Sequence, residues 1–117
     1  MSRREASSPE VTTLAERKVN ETNRRVKAAD DIVQALRDHA RDQGGRYVVF
    51  GSYASGRMRY DSDLDLLIDF PPESSTQAWL FAEDACARHA VPPDLHDART
   101  TTDAFRDRVL RQGLVLS

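Results

Sequence analysis

Gly51-Ser52-Tyr53-Ala54-Ser55-Gly56-Arg57, followed closely by Asp61-Ser62-Asp63-Leu64-Asp65-Leu66, joins a small-residue loop to a cluster of carboxylates. A chain needs that pairing of residue types to set a nucleotide's phosphates beside a divalent cation. Upstream, Arg46-Tyr47-Val48-Val49-Phe50 is apolar and rich in β-formers, so the glycines emerge from a strand end, where backbone N–H groups can turn towards a phosphate. Downstream, Leu64, Leu66, Ile68 and Phe70 alternate with Asp63, Asp65, Leu67 and Asp69, which is the period of a strand. One face enters the core, and the other carries Asp63 and Asp65 pointing the same way.

Three other readings of this segment compete. An EF-hand would take Asp61, Asp63 and Asp65 as its first ligands, but it needs glycine where Leu66 stands and glutamate where Pro72 stands. A P-loop matches the spacing of Gly51 and Gly56, yet Arg57 and Met58 replace the Lys and Ser/Thr of that motif, and a thioether does not ligate a hard cation. A solvated acidic turn between strands leaves two same-face carboxylates after a Gly-Ser loop unexplained. A metal-nucleotide site fits best.

Gly51–Ser52, then Gly56–Arg57, then the Ser-Asp-x-Asp-Leu of Ser62–Leu66 resembles the nucleotidyltransferase signature of the DNA polymerase beta superfamily. The run Val49-Phe50-Gly51-Ser52-Tyr53-Ala54-Ser55-Gly56 and the small size resemble its minimal nucleotidyltransferases, the MNT domains, many of which are antitoxins paired with HEPN toxins. The likeness covers roughly residues 46 to 116. It implies a third carboxylate from a later strand, for which Asp94, followed by Leu95, is the candidate. Strand alternation puts Asp94 and His96 on one face and Leu95 and Asp97 on the other; a one-residue slip would exchange them. His96 could support the carboxylates or transfer a proton, but a lone His at a sheet edge is more often structural or solvated, and it stays outside the catalytic set.

The resemblance implies transfer of a nucleoside monophosphate, AMP from ATP, onto an acceptor hydroxyl, a tyrosine of a cognate HEPN toxin. Asp63, Asp65 and Asp94 would be both the catalytic residues and the metal ligands, holding two magnesium ions, with manganese as a substitute. Two such ions about 3.5–4 Å apart offset charge on the attacking and leaving oxygens, and carboxylates suit hard cations. Gly51, Ser52, Gly56, Arg57 and Ser62 are the nucleotide-binding candidates. Gly51 lets the backbone approach the triphosphate, Ser52 offers hydroxyl and amide contacts, and Arg57 adds charge. For Arg57 a solvent-facing role stays open, and for Ser62 a turn-holding one. Two further functions stay open: a binding module that masks a partner with a vestigial site, and a small-molecule nucleotidyltransferase that borrows its acceptor pocket from a second subunit.

The 117 residues suffice for one modest core, and 39% hydrophobic content excludes wholesale disorder. Seventeen basic residues against 19 acidic ones create no global field for nucleic acid, so a nucleic-acid polymerase is disfavoured. No apolar run reaches membrane length, the charged start Met1-Ser2-Arg3-Arg4-Glu5 lacks the apolar core of a secretion signal, and the expectation is a cytoplasmic protein. The single cysteine, Cys86, sits among alanines in a helical pattern and reads as a small buried side chain.

Residues 1–45 read as a helical extension packing on a nucleotidyltransferase core of residues 46–117, the whole forming an α/β domain with a small mixed sheet flanked by helices. Ser8 and Pro9 look like a helix start and Gly44-Gly45 a stop, with Val19, Val26, Val33 and Ala40 at seven-residue spacing and Ala29 and Leu36 between. Its second half should pack on the sheet. The first half should overhang, fold back or bind another subunit, a homo-oligomer contact included, with Asn20 and Asn23 marking a competing break. Beyond the second strand, a helix over 76–90 should bury Trp79, Ala82, Cys86 and Ala87. A last helix over 102–112 should pack Phe105, Val109 and Leu110.

Overall fold

The computed structural model of the chain describes residues 13–117; Ser8 and Pro9 of the sequence reading lie outside them. Helix α1 runs Leu14–Gln43 without interruption, so Asn20 and Asn23 do not break it. Thr13 is the cap: its hydroxyl accepts from the Glu16 N–H at 3.1 Å, while the Glu16 carboxylate accepts from the Thr13 N–H at 2.9 Å. Such a reciprocal pair satisfies two otherwise orphaned donors and stabilises a helix start by about 1 kcal/mol. At the far end Gly44 takes φ +75°, and both its N–H and that of Gly45 reach the Ala40 carbonyl. A side chain at that φ would be strained, which is why the helix stops at a glycine.

Four strands follow: β1 (Arg46–Phe50), β2 (Leu64–Asp69), β3 (Pro93–Asp97) and β4 (Leu114–Leu116). Between them lie the single turn α2 (Gly51–Ala54), then α3 (Pro72–Arg88) and α4 (Asp103–Gln112). The sheet order is β3-β2-β1-β4; β1 is antiparallel to both β2 and β4, and β2 and β3 run parallel through the α3 crossover. This is the small mixed sheet flanked by helices that the sequence predicts.

Both faces of the sheet are covered. On one, Tyr47, Val49, Leu64, Leu66, Ile68 and Phe70 pack against Ala29, Ile32, Val33, Leu36 and Ala40 of α1 and against Ala78, Ala82, Ala85 and Cys86 of α3. The buried Tyr47 hydroxyl donates to the Ala78 carbonyl at 2.8 Å, tying β1 to α3. On the other face Val48, Leu67, Ala98 and Val109 form a second cluster, edged by Phe50, Phe105 and Leu110. Leu67, which alternation assigns to the carboxylate face, is therefore buried in the cluster that includes Val109 of α4, while Asp65 and Asp69, towards the two ends of β2 on that face, stay half-exposed.

Three details depart from the sequence reading. Helix α3 begins at Pro72, not Thr76, because a proline at the first helical position needs no N–H partner. Ala87 is exposed and Ala85 takes the inner place. The three-residue β4 has no counterpart in the sequence reading. Cys86 is buried, and burial pushes its thiol up to about 11, which keeps it inert.

Candidate active site

The chain leaves β1 at Phe50 and turns at once into Gly51, whose φ of +72° is open to glycine but strained for other residues. A Cβ there would lie 1.9 Å from Asp65 Oδ2. The loop therefore starts directly against the carboxylate of the neighbouring strand, as the antiparallel pairing of Phe50 with Asp65 dictates. The loop is stitched from inside: Ser55 N–H donates to the Gly51 carbonyl, Gly56 N–H to that of Tyr53 and Arg57 N–H to that of Ser52. Ser52 is half-buried, while Gly56 and Arg57 are exposed. Ser62 holds the next turn, its Oγ accepting from the Arg59 N–H at 2.9 Å.

Asp63 is exposed and stands immediately before β2; Asp65, one residue into that strand, is half-buried. The parallel register sets Asp65 beside Asp94. Burial, a hydrogen bond with Asp94 and the charges of Asp94 and Asp63 push the Asp65 carboxyl up to about 6, with His96 opposing weakly. Asp94 is exposed, and its Oδ1 lies 3.4 Å from His96 Nε2. His96 in turn rests in an aromatic floor, with ring centroids 5.8 Å from Phe50 and 5.0 Å from Phe105. Phe50 and Phe105 meet edge to face at 5.7 Å.

Asp97 points the other way. Its carboxylate accepts from the Ser75 hydroxyl at 2.8 Å and from the Arg99 N–H at 2.9 Å, with the Arg99 guanidinium 3.5 Å away. Burial works to raise this carboxyl, but the Arg99 N–H, the Ser75 hydroxyl and the Arg99 charge outweigh it and hold it below the ordinary value. The register thus gathers Asp65 and Asp94, with Asp63 adjoining, and commits Asp97 to anchoring β3 on α3.

Among the described residues no three His, Cys, Asp or Glu side chains are already drawn together at metal-ligating distances. The donor set nonetheless suits a hard cation, since two carboxylates crowded enough to share a proton lose their mutual repulsion when a cation replaces it.

Sequence reasoning missed the links from this loop to α1. The Tyr53 hydroxyl donates to Asp30 Oδ1 at 2.6 Å, Arg25 Nη1 donates to the Ser62 carbonyl at 2.5 Å, and the Tyr60 N–H donates to Thr22 Oγ1 at 3.0 Å. The one available signal is spacing: Thr22, Val26 and Asp30 recur every four residues, a helix face next to the stripe that enters the core.

A mixed sheet with a glycine loop leaving one strand onto the carboxylate of the next, with a second carboxylate paired beside it, defines a nucleotidyltransferase fold. The family model for the nucleotidyltransferase domain matches residues 29–112, and the chain belongs to that family. A solved structure assigned as a minimal nucleotidyltransferase is similar to it at 26% identity and a TM-score of 0.63, covering 76% of this chain and 93% of that one, which bears out the MNT resemblance. A crystal structure of a toxin-antitoxin with AMP-PNP is similar at 24% identity and a TM-score of 0.52, covering 74% of this chain and 71% of that one, a likeness of fold alone. No curated protein matches the chain. No helix among the described residues is long and apolar enough to cross a membrane.

Proposed function

We propose that this nucleotidyltransferase moves AMP from ATP onto a tyrosine hydroxyl of a separate HEPN-type toxin and acts as its antitoxin. The observation that carries the transfer chemistry is the abutment of Gly51 on Asp65, with Asp94 paired beside it, so that a triphosphate on the loop meets both carboxylates. Asp63, Asp65 and Asp94 would hold magnesium, which when bound offsets the charge on the phosphate and the entering and leaving oxygens. Gly51 gives the phosphates access to the backbone, Ser52 offers its hydroxyl and amide, and the exposed Arg57 adds positive charge. Asp94, the most exposed member of the pair, takes the proton of the acceptor hydroxyl at its carboxylate.

A protein acceptor is supported by what the fold leaves out. Asp94 is exposed and Asp65 half-buried, so the acceptor's own surface has room to close over the carboxylates. The solved toxin-antitoxin of similar fold, with AMP-PNP, supports a toxin partner and a nucleotide in the same way. The overhang of α1 supplies a face for that partner: Leu14 and Val19 are exposed beside Arg17, Lys18, Arg24 and Arg25, which outnumber Glu16 and Glu21.

Intact-mass spectrometry of the co-expressed toxin, after incubation with ATP and magnesium, tests the proposal. The wild-type chain should add AMP to a toxin tyrosine and the Asp65→Asn variant should not. A toxin that stays unmodified yet is neutralised equally by both would leave a masking module in place of an enzyme.

A further inference from the structure

The three hydrogen bonds from α1 reach three separate points of the segment that carries the phosphate-binding candidates and leads into Asp63. Asp30 takes the Tyr53 hydroxyl near its start. Thr22 takes the Tyr60 N–H, and Arg25 donates to the Ser62 carbonyl, near its end. Lys18 adds its ammonium 5.7 Å from the centre of the Tyr60 ring. Between these attachments Met58 is buried in the main core beside the half-buried Val26. A cavity of about 310 Å³, lined by Val26, Asp30, Tyr53, Gly56 and Met58, lies under the middle of the loop.

Residues 51–63 have no strand partner among the described residues, and beyond their own internal hydrogen bonds and the buried Met58 they are fastened at both ends to the helix. Thr22 and Arg25 also lie upstream of residue 29, where the family match begins.

From this geometry we infer that Thr22, Arg25 and Asp30 are positioning residues: α1 is a brace that holds residues 51–63 in the form that receives the triphosphate. The inference deepens the proposed function and rests on it. Asp30 and Tyr53 act as one unit, because neither has its effect without the other. Since the brace fastens the binding loop and not Asp65 or Asp94, which β2 and β3 hold, releasing it should weaken nucleotide binding far more than the chemical step.

The test uses the full chain and two readouts. In steady-state transfer with ATP and magnesium, Asp30→Ala, Tyr53→Phe and Arg25→Ala should each raise the KM for ATP about five- to tenfold with kcat within about twofold. The Asp30→Ala/Tyr53→Phe double variant should be no worse than either single one. Asp30→Asn, whose amide oxygen still accepts from the Tyr53 hydroxyl, should restore the wild-type KM. Amide hydrogen exchange of the nucleotide-free chain should show residues 51–63 exchanging about tenfold faster in Asp30→Ala and Arg25→Ala, with β1 and β2 unchanged.

Exchange in the loop that stays at the wild-type rate in all these variants would overturn the brace. So would a KM unmoved in every one of them, or a loss confined to kcat. Because the exchange measurement needs no nucleotide, it decides the brace even if the native chain transfers nothing, an outcome that would sink the proposed function alone.

Discussion

Asp65 keeps its proton to about pH 6 where the same side chain in an unfolded chain releases it near 3.8. Between those values the folded state binds more protons than the unfolded one, so this group makes stability fall as pH rises through about 4 to 6. Asp65→Asn should therefore gain stability relative to the wild type across that window and hold the gain at higher pH, while losing transfer by several orders of magnitude. Thermal denaturation of both proteins from pH 3.5 to 8 checks it, and a stability difference that is flat across the window would contradict it. Gly51 imposes the second constraint at this scale. Gly51→Ala meets both a left-handed φ and the Asp65 carboxylate, so it should destabilise the fold by about 1–3 kcal/mol and abolish nucleotide binding, as calorimetry with and without ATP and magnesium would show.

The pairing of β2 with β3 decides which aspartate faces the site. Asp94→Asn should reduce transfer by orders of magnitude with little change in melting, whereas Asp97→Asn, which weakens the links to Ser75 and Arg99, should lower the melting temperature and leave kcat within about twofold. The opposite ranking in purified variants would mean a shifted register. This choice is legible in the sequence because a strand's period of two separates Asp94 from Asp97, just as it pairs Asp63 with Asp65. Elements with local signals read correctly for the same reason: the β-rich run into Gly51, the helix ended by Gly44, and Val109 facing inward from α4. What stays hidden depends on contacts between distant segments. Three residues are too few for β4 to show a period, Pro71-Pro72 reads equally as a loop or as a helix start, and Leu67 is buried only because α4 comes back over it. The bonds from Tyr53 and Ser62 to α1 join residues 23 and 37 positions apart, beyond the reach of any periodic pattern.

As a body, the protein extends 63 × 27 × 17 Å, and its radius of gyration of 17.5 Å exceeds the about 13 Å of a compact chain of this size. The excess is α1, about 45 Å long at 1.5 Å per residue, whose last four turns pack on the sheet while its first turns project. Leu14 is 66% and Val19 58% exposed on that projection. Val19→Glu should weaken toxin binding about tenfold without altering hydrogen exchange of residues 51–63; pull-down titration that finds equal affinity would assign the partner to another face. A point change serves better than truncation, because Lys18 and Thr22 on the same segment touch Tyr60. The sheet order has one more outcome, for solubility. Among the described residues, both border strands, β3 and β4, leave a row of backbone donors and acceptors without a partner strand, the arrangement by which sheets of separate molecules zip together. At one border Pro93 offers no N–H and Asp94 and Asp97 bring two carboxyls to five residues; at the other, β4 is only three residues long. The carboxylate proposed above for transfer thus also guards the border strand against aggregation, so that neutralising Asp94 would remove that guard along with a proposed ligand.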